Sequence, residues 1–209
     1  MAPRAREHSS RNREAILDAA MRLFAQYGYK RTSIDDIARA AEIAKGTVYL
    51  SFTSKEEVFR ALCVQLIERV EAEAERANRL DAPIEERLVA LLEAKFGFYF
   101  ETVHNSAHAA ELMDSKGRLS ADLFERSDKR YHRMMRQMVE HGVERGELAP
   151  TRAGLDPAEA AELIIAAARG IEFTVANPAA YHRRLRELVR VMIGGLGGTR
   201  TPSEIRQER

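Results

Sequence analysis

Within the six residues from Lys45 to Leu50 the chain sets an ammonium group, a position without a side chain, a hydroxyl, a phenol and an apolar tip: Lys45, Gly46, Thr47, Tyr49 and Leu50. Hydroxyl and ammonium donors fix register on phosphates, a lysine can donate to guanine O6 or N7, a leucine can touch a thymine methyl, and a glycine lets two backbones come close. Such groups need an element that presents them together, and the flanking residues supply one. Ser33, with Asp36 three residues on, is a capping-box arrangement that starts a short helix. Ile37 and Ala38 point one way along it, and two helices crossing steeply after a tight turn need a residue as small as Ala38 at their contact. The turn falls at Glu42, Ile43 and Ala44, and a second short helix from Lys45 to Ser51 buries Val48 and turns the polar set outward. The pattern reads as a helix-turn-helix whose second helix has a DNA-reading geometry.

A second cluster could bind metal. His104, His108 and Glu111, at spacings of four and three residues, share a helix face, and His132 from another helix would complete a zinc or nickel site. Surface or hydrogen-bonded histidines fit the same spacing. No nucleophile, base and orienting residue fall together and no phosphate loop is present, so an enzyme has only this cluster to rest on and no cofactor is expected. Cys63 is the only cysteine, which leaves no intrachain disulfide or multi-cysteine metal centre, and its neighbours Leu62 and Val64 favour a packing role.

The 209 residues carry 33 basic and 32 acidic side chains, a net charge of +1. Residues 1–60 hold 11 Lys/Arg against 8 Asp/Glu, leaving 22 against 24 for residues 61–209, so a front end of +3 precedes a body of −2. That sign suits a DNA-facing front end, and solvated surface charge alone produces a difference of the same size. No apolar run approaches the length of a bilayer span, so a soluble, cytoplasmic protein with no membrane partner is expected.

Residues 1–13, with Arg4, Arg6, Arg11 and Arg13, read as a flexible basic arm that either reaches phosphates or a narrow minor groove, or is simply solvated. Residues 14–54 form the helix-turn-helix domain, its first helix marked by Ile16, Leu17, Ala20, Leu23, Phe24 and Tyr27, closed by Gly28 and plugged by Phe52. Residues 55–80 are a connecting helix capped by Thr53, Ser54 and Glu57, residues 81–198 a C-terminal helical domain, and residues 199–209 a disordered tail. Within the C-terminal domain, Asp156-Pro157 and Asn177-Pro178 open helices, and a short helix and loop near Ser106 to Ser120 precedes a long helix that ends through Gly142 and Gly146. No segment alternates like a strand. The fold class is therefore all-α, an N-terminal three-helix helix-turn-helix domain followed by a helical domain, with about nine helices.

Ile16 to Phe24, Gly28, Thr32-Ser33, Asp36-Ile37-Ala38, Lys45-Gly46-Thr47-x-Tyr49, Phe52 and Ser54-Lys55-Glu56-Glu57 follow one another in an order that resembles the TetR family of bacterial transcription regulators over roughly the first quarter of the chain. The family usually has Gly where this chain has Glu42, and Ser or Thr where it has Ala44. A non-Gly residue in a left-handed turn costs on the order of 1–2 kcal/mol, and an alanine N-cap about 1 kcal/mol more.

The resemblance implies that Thr32, Thr47, Tyr49 and Lys55 hold phosphates beside the capping Ser33, while Lys45, Gly46 and Leu50 approach base edges. It implies a homodimeric repressor on a palindromic double-stranded DNA operator, released by a small-molecule effector. Phe96, Tyr99, Phe100, Val103, Met113, Tyr131, Met134 and Met138 would wall a pocket for a mostly apolar ligand, or are plain core. Leu163, Ala167, Gly170, Ile171, Leu185, Leu188 and Met192 would form a four-helix dimer interface, or are buried within one subunit. The alternatives are a metal-responsive regulator using His104, His108 and Glu111, and a helical interaction module without DNA binding.

Overall fold

The computed structural model describes residues 3–101, 106–171, 174, 175 and 177–196, with side chains described from residue 10 onward. Among the described residues there are eight α-helices and no strand: α1 (Pro3–Tyr27), α2 (Ile34–Ala40), α3 (Lys45–Ser51), α4 (Lys55–Arg79), α5 (Ile84–Leu92), α6 (Ala109–Glu144), α7 (Pro157–Ile171) and α8 (Pro178–Gly195). A π-helical segment, Glu93–Gly97, continues α5, and a short 3-10 helix, Pro150–Ala153, follows α6.

The chain folds into two compact units. One comprises Met1–Arg69 and Thr102–Arg126, the other Val70–Glu101 and Ser127–Arg209. These boundaries differ from the sequence expectation of breaks near residues 54 and 80, because the front of α6 buries apolar surface in the first unit. Leu112, Leu119, Leu123 and Phe124 pack on its core of Ile16, Phe24, Ile37, Val48, Phe52, Phe59 and Leu62. The second unit closes around Leu88 and Leu91 of α5, Met135 and Met138 of α6, Ile164 and Ile165 of α7, and Tyr181 and Leu185 of α8.

Two helices differ from their expected extents. α1 begins at Pro3 rather than Glu14; Pro is at home in a first helical turn and no breaker follows it. Part of the expected flexible arm is therefore ordered, and the Arg13 guanidinium lies 4.5 Å from the centre of the Phe52 ring. α6 is continuous in outline but kinked at Ser120, which takes a non-helical φ of −145° and ψ of 16°, so a short helix meets a long one where the sequence suggested a break. Gly142 stays inside α6, where a methyl would stand 3.0 Å from Leu148 Cδ1, so its lack of a side chain serves packing and not a helix stop. Gly146, at φ +72°, lies just beyond the helix end.

The expected caps are present. Asp156 and Glu159 exchange backbone-to-carboxylate bonds of 2.8 Å, and Asn177 Oδ1 accepts from the Ala180 N–H at 2.9 Å. Ser54 Oγ accepts from Glu57 N–H at 3.1 Å, while the Glu57 carboxylate takes the Thr53 N–H and hydroxyl at 2.6 and 2.8 Å.

Candidate nucleic-acid interface

A seven-residue helix such as α3 has no stability of its own, so the first unit must hold it. Val48 does so, fully buried against a core that includes Ile37 and Phe52. The Phe52 N–H returns to the Val48 carbonyl at 2.8 Å and stops the helix. Beneath this, Phe24, Tyr29 and Phe59 form a triangle of tilted rings with centroids 5.1–5.8 Å apart. Burial pushes the Tyr29 phenol up to about 12.

The turn carries the strain that its sequence implies. Glu42 has φ +57°, the only positive φ at a non-glycine among the described residues. Ala44 caps α3 with no side-chain bond, leaving its carbonyl to receive the Thr47 N–H at 2.8 Å. On α2, by contrast, the capping box is complete: Ser33 Oγ accepts from Asp36 N–H at 3.2 Å, and Asp36 Oδ2 takes the Ser33 N–H at 3.0 Å. The Ser33 hydroxyl and amide hold the Asp36 carboxyl below its usual value.

The outer face of α3 is open. Leu50 is 88% exposed and Tyr49 48%, Lys45 and Gly46 are exposed, and Thr47 is half-buried. A methyl group at Gly46 would meet nothing within 4 Å. A helical glycine costs about 1 kcal/mol relative to alanine, and no neighbour within the fold requires it here. Lys45 Nζ reaches back across the turn to Asp35 at 2.8 Å, and that carboxylate holds the ammonium above its usual value. The arrangement can offer a cation, a hydroxyl, a phenol and an apolar tip to a groove while its glycine admits close backbone approach.

Two expected phosphate ligands turn inward instead. The Thr32 side chain is 3% exposed and its hydroxyl donates to the Gly28 carbonyl at 2.8 Å, satisfying the end of α1. Lys55 Nζ donates to the carbonyls of Tyr29 and Thr32, each at 2.9 Å, and lies 4.5 Å from the centre of the Tyr29 ring. Both side chains therefore build the α1–α2 loop. Sequence reasoning missed the clasp on its other side: the Glu111 carboxylate accepts the Lys30 N–H at 2.5 Å, and Arg31 donates to His108 Nε2 at 3.1 Å. Gly28 makes room for it, since a Cβ there would lie 2.6 Å from Glu111 Oε2 and the residue also has φ +86°.

Residues 16–62, which span this assembly from the core of α1 into α4, match the model of bacterial regulatory proteins of the tetR family. The fatty acid metabolism regulator protein of Bacillus subtilis (strain 168) is 30% identical over 155 residues, covering 71% of this chain and 75% of that protein. The chain belongs to the TetR family. It is a TetR-family transcriptional regulator, and the helix-turn-helix lies within the residues that the family model matches. The A-factor receptor protein of Streptomyces griseus is 32% identical over 159 residues, 76% of this chain and 52% of that protein, so this chain spans about half the length of that relative. The TetR-family regulator PfmR from Thermus thermophilus superposes with a TM-score of 0.64 at 23% identity, over 87% of this chain and 98% of that one, a likeness of fold.

In this TetR-family chain most of the expected pocket residues are buried together. Phe96, Phe100, Tyr131, Met134 and Met138 all lie in the core of the second unit. Phe100 stacks on Tyr181 at 4.7 Å, and the Tyr131 hydroxyl donates to the Leu91 carbonyl at 2.9 Å. Tyr99 is half-buried. Met113 belongs to the first unit and is exposed, while its neighbour Leu112 packs on that unit's core. Val103 and His104 lie outside the described residues.

The metal cluster is otherwise engaged. Glu111 and His108 hold the α1–α2 loop as above, and His132 Nδ1 pairs with Glu162 at 2.7 Å. No group of three metal-ligating side chains occurs among the described residues. No described helix is long and apolar enough to cross a membrane.

Of the expected dimer residues, Ile171 and Leu185 are buried in the second unit, because they sit on the core-facing stripes of α7 and α8 with Ala168 and Val189. Leu163 and Gly170 are exposed, and Ala167, Leu188 and Met192 half-buried. Val191, which the sequence reading passed over, is 73% exposed beside Leu188 and Met192.

Proposed function

We propose that this TetR-family regulator is a homodimeric repressor that holds a palindromic double-stranded operator and releases it when a small, mostly apolar ligand enters the C-terminal helical unit. The observation that carries the DNA reading is the open face of α3, with Gly46 unconstrained by any neighbour and Lys45, Tyr49 and Leu50 exposed around it. Lys45 and Leu50 approach base edges, Thr47 and Tyr49 reach phosphates, and Lys55 and Thr32 set the loop that positions them.

One such helix makes too few contacts for tight, specific binding. A pair presents two recognition helices about 34–36 Å apart, or a multiple of that, on one DNA face. Apolar stripes on α7 (Leu163, Ala167, Gly170) and α8 (Leu188, Val191, Met192) support pairing of these helices with their symmetry mates. The ligand acts by preferring the DNA-incompetent conformation, because tight binding to both states shifts nothing.

Fragments of the native genome retained by the purified protein test this reading. A shared inverted repeat is the expected outcome, and binding without sequence preference would overturn it.

A further inference from the structure

The helix-turn-helix carries a negative charge that neither its fold nor phosphate binding calls for. Asp35, in the first turn of α2, meets the Lys45 ammonium through both carboxylate oxygens, Oδ1 at 2.8 Å and Oδ2 at 3.0 Å. The two side chains are each 54% exposed, and an ion pair so open to water contributes little to stability. The turn between the helices closes without it. The Glu42 N–H reaches the Arg39 carbonyl at 3.2 Å, the Ile43 N–H reaches the Ala38 carbonyl at 3.0 Å, and Ile37 and Val48 share one core. Capping does not need it either, since Asp36 completes the box with Ser33. A first-turn carboxylate suits the helix dipole, which explains an acid at this position but not its contact with the lysine that opens α3. Beside a DNA backbone the same charge is repelled.

The geometry of the pair supplies a use. An ammonium has three N–H donors and a carboxylate about four lone-pair sites, so each keeps capacity for a second partner after their mutual contact. Together they present a donor and an acceptor 2.8–3.0 Å apart at the start of α3. The major-groove edge of a G·C pair presents the complement: guanine O6 accepts, cytosine N4 donates, and the base-pair hydrogen bond between those atoms sets them about 2.9 Å apart. Reversing the pair to C·G sets donor against donor and acceptor against acceptor. A·T does the same, because adenine N6 donates and thymine O4 accepts. T·A matches the two atoms, but its thymine carries a methyl group where guanine adds the N7 acceptor.

We propose that Asp35 is a specificity-determining residue: with Lys45 it reads one G·C pair of each half-site, the ammonium donating to guanine and the carboxylate accepting from cytosine N4–H. The like-to-like contacts that the pair makes with C·G and A·T reject those base pairs, and the carboxylate gives up affinity for DNA in general to do so. The inference rests on the DNA reading above and names a residue to which that reading gives no role.

Anisotropy titrations of the full chain on an operator recovered from the genome, with all four base pairs placed in turn at each half-site position, locate the pair whose preference Lys45→Ala alters. There the wild type is expected to favour G·C over C·G by about tenfold or more. Asp35→Ala is expected to bring the two within about threefold of each other, to keep the preferences at the other positions, and to bind unrelated DNA more tightly than wild type. Asp35→Asn keeps the shape but offers a donor as well as an acceptor, and is expected to relax the same pair. An unaltered preference at that pair in both Asp35 variants, or a loss of affinity equal for all four base pairs, makes Asp35 a structural strap and overturns the proposal while leaving DNA reading by α3 standing. A Lys45→Ala variant that alters no preference overturns it too. Binding without sequence preference by the wild type overturns the DNA reading as well.

Discussion

The Lys55 ammonium stands 2.9 Å from the Thr32 carbonyl, joining two residues that the sequence assigned separately to phosphates. With its bond to the Tyr29 carbonyl, the lysine ties the start of α4 to the loop between α1 and α2. Hydrogen bonds from a charged group are worth about 1.5–3 kcal/mol where water competes little. Lys55 is half-buried, so Lys55→Met is expected to cost about 1–2 kcal/mol in urea unfolding. The slope of log affinity against log salt should stay unchanged in this variant, because no phosphate contact is removed. A slope reduced by about one would return the lysine to the DNA backbone.

The turn offers stability that the chain forgoes. Glu42 sits at φ +57° and Ala44 caps α3 without a side-chain bond. Glu42→Gly is expected to raise the unfolding free energy by about 1 kcal/mol and Ala44→Ser by a similar amount, with unchanged denaturant slopes. Loss of stability in Glu42→Gly would mean that the glutamate side chain makes a contact outweighing its backbone strain.

Four carboxylates of the first unit titrate below their usual values: Asp36 through the Ser33 hydroxyl and amide, Glu56 through its own backbone amide, Glu57 through the Thr53 amide and hydroxyl, and Asp122 through Arg60. A depressed folded pKa contributes stability above the unfolded value, and that stability is lost as pH falls through the folded one. The urea midpoint is therefore expected to be level above about pH 5 and to fall below about pH 4. Asp36→Asn should remove part of that slope, and an unaltered slope would place the acid sensitivity elsewhere.

The exposed stripes of α7 and α8 make the pairing testable without disturbing the core. Val191→Asp and Leu163→Asp are expected to give monomers by light scattering, with unchanged helical circular dichroism. Leu185→Asp, placed inside the second unit, should instead unfold it. A dimer that survives both surface changes would exclude this face.

The helix-turn-helix was legible because each of its demands is local: a capping box at Ser33, a turn at Glu42, and a period that buries Ile37 and Val48. The roles of Thr32 and Lys55 were not. A hydroxyl or ammonium reads the same in sequence whether it meets a phosphate or a carbonyl 23 residues away, as Lys55 meets that of Thr32. The unit boundaries escaped for a related reason, since Glu111 and Leu112 bind the first unit through contacts about eighty residues distant. Nothing in the sequence marks Arg87 as buried, and only the fold shows it to be 4% exposed.

The open face of α3 carries the account, and Gly46 tests it most directly. Gly46→Ala should stabilise the isolated chain by up to about 1 kcal/mol, since the added methyl meets nothing within the fold. Fluorescence anisotropy on an operator recovered from the genome should show at least tenfold weaker binding for this variant. Lys45→Ala, measured beside it, should change preference at one base pair of each half-site. Undiminished affinity in Gly46→Ala, together with an unaltered base preference in Lys45→Ala, would contradict the assignment of α3 as the helix that reads DNA.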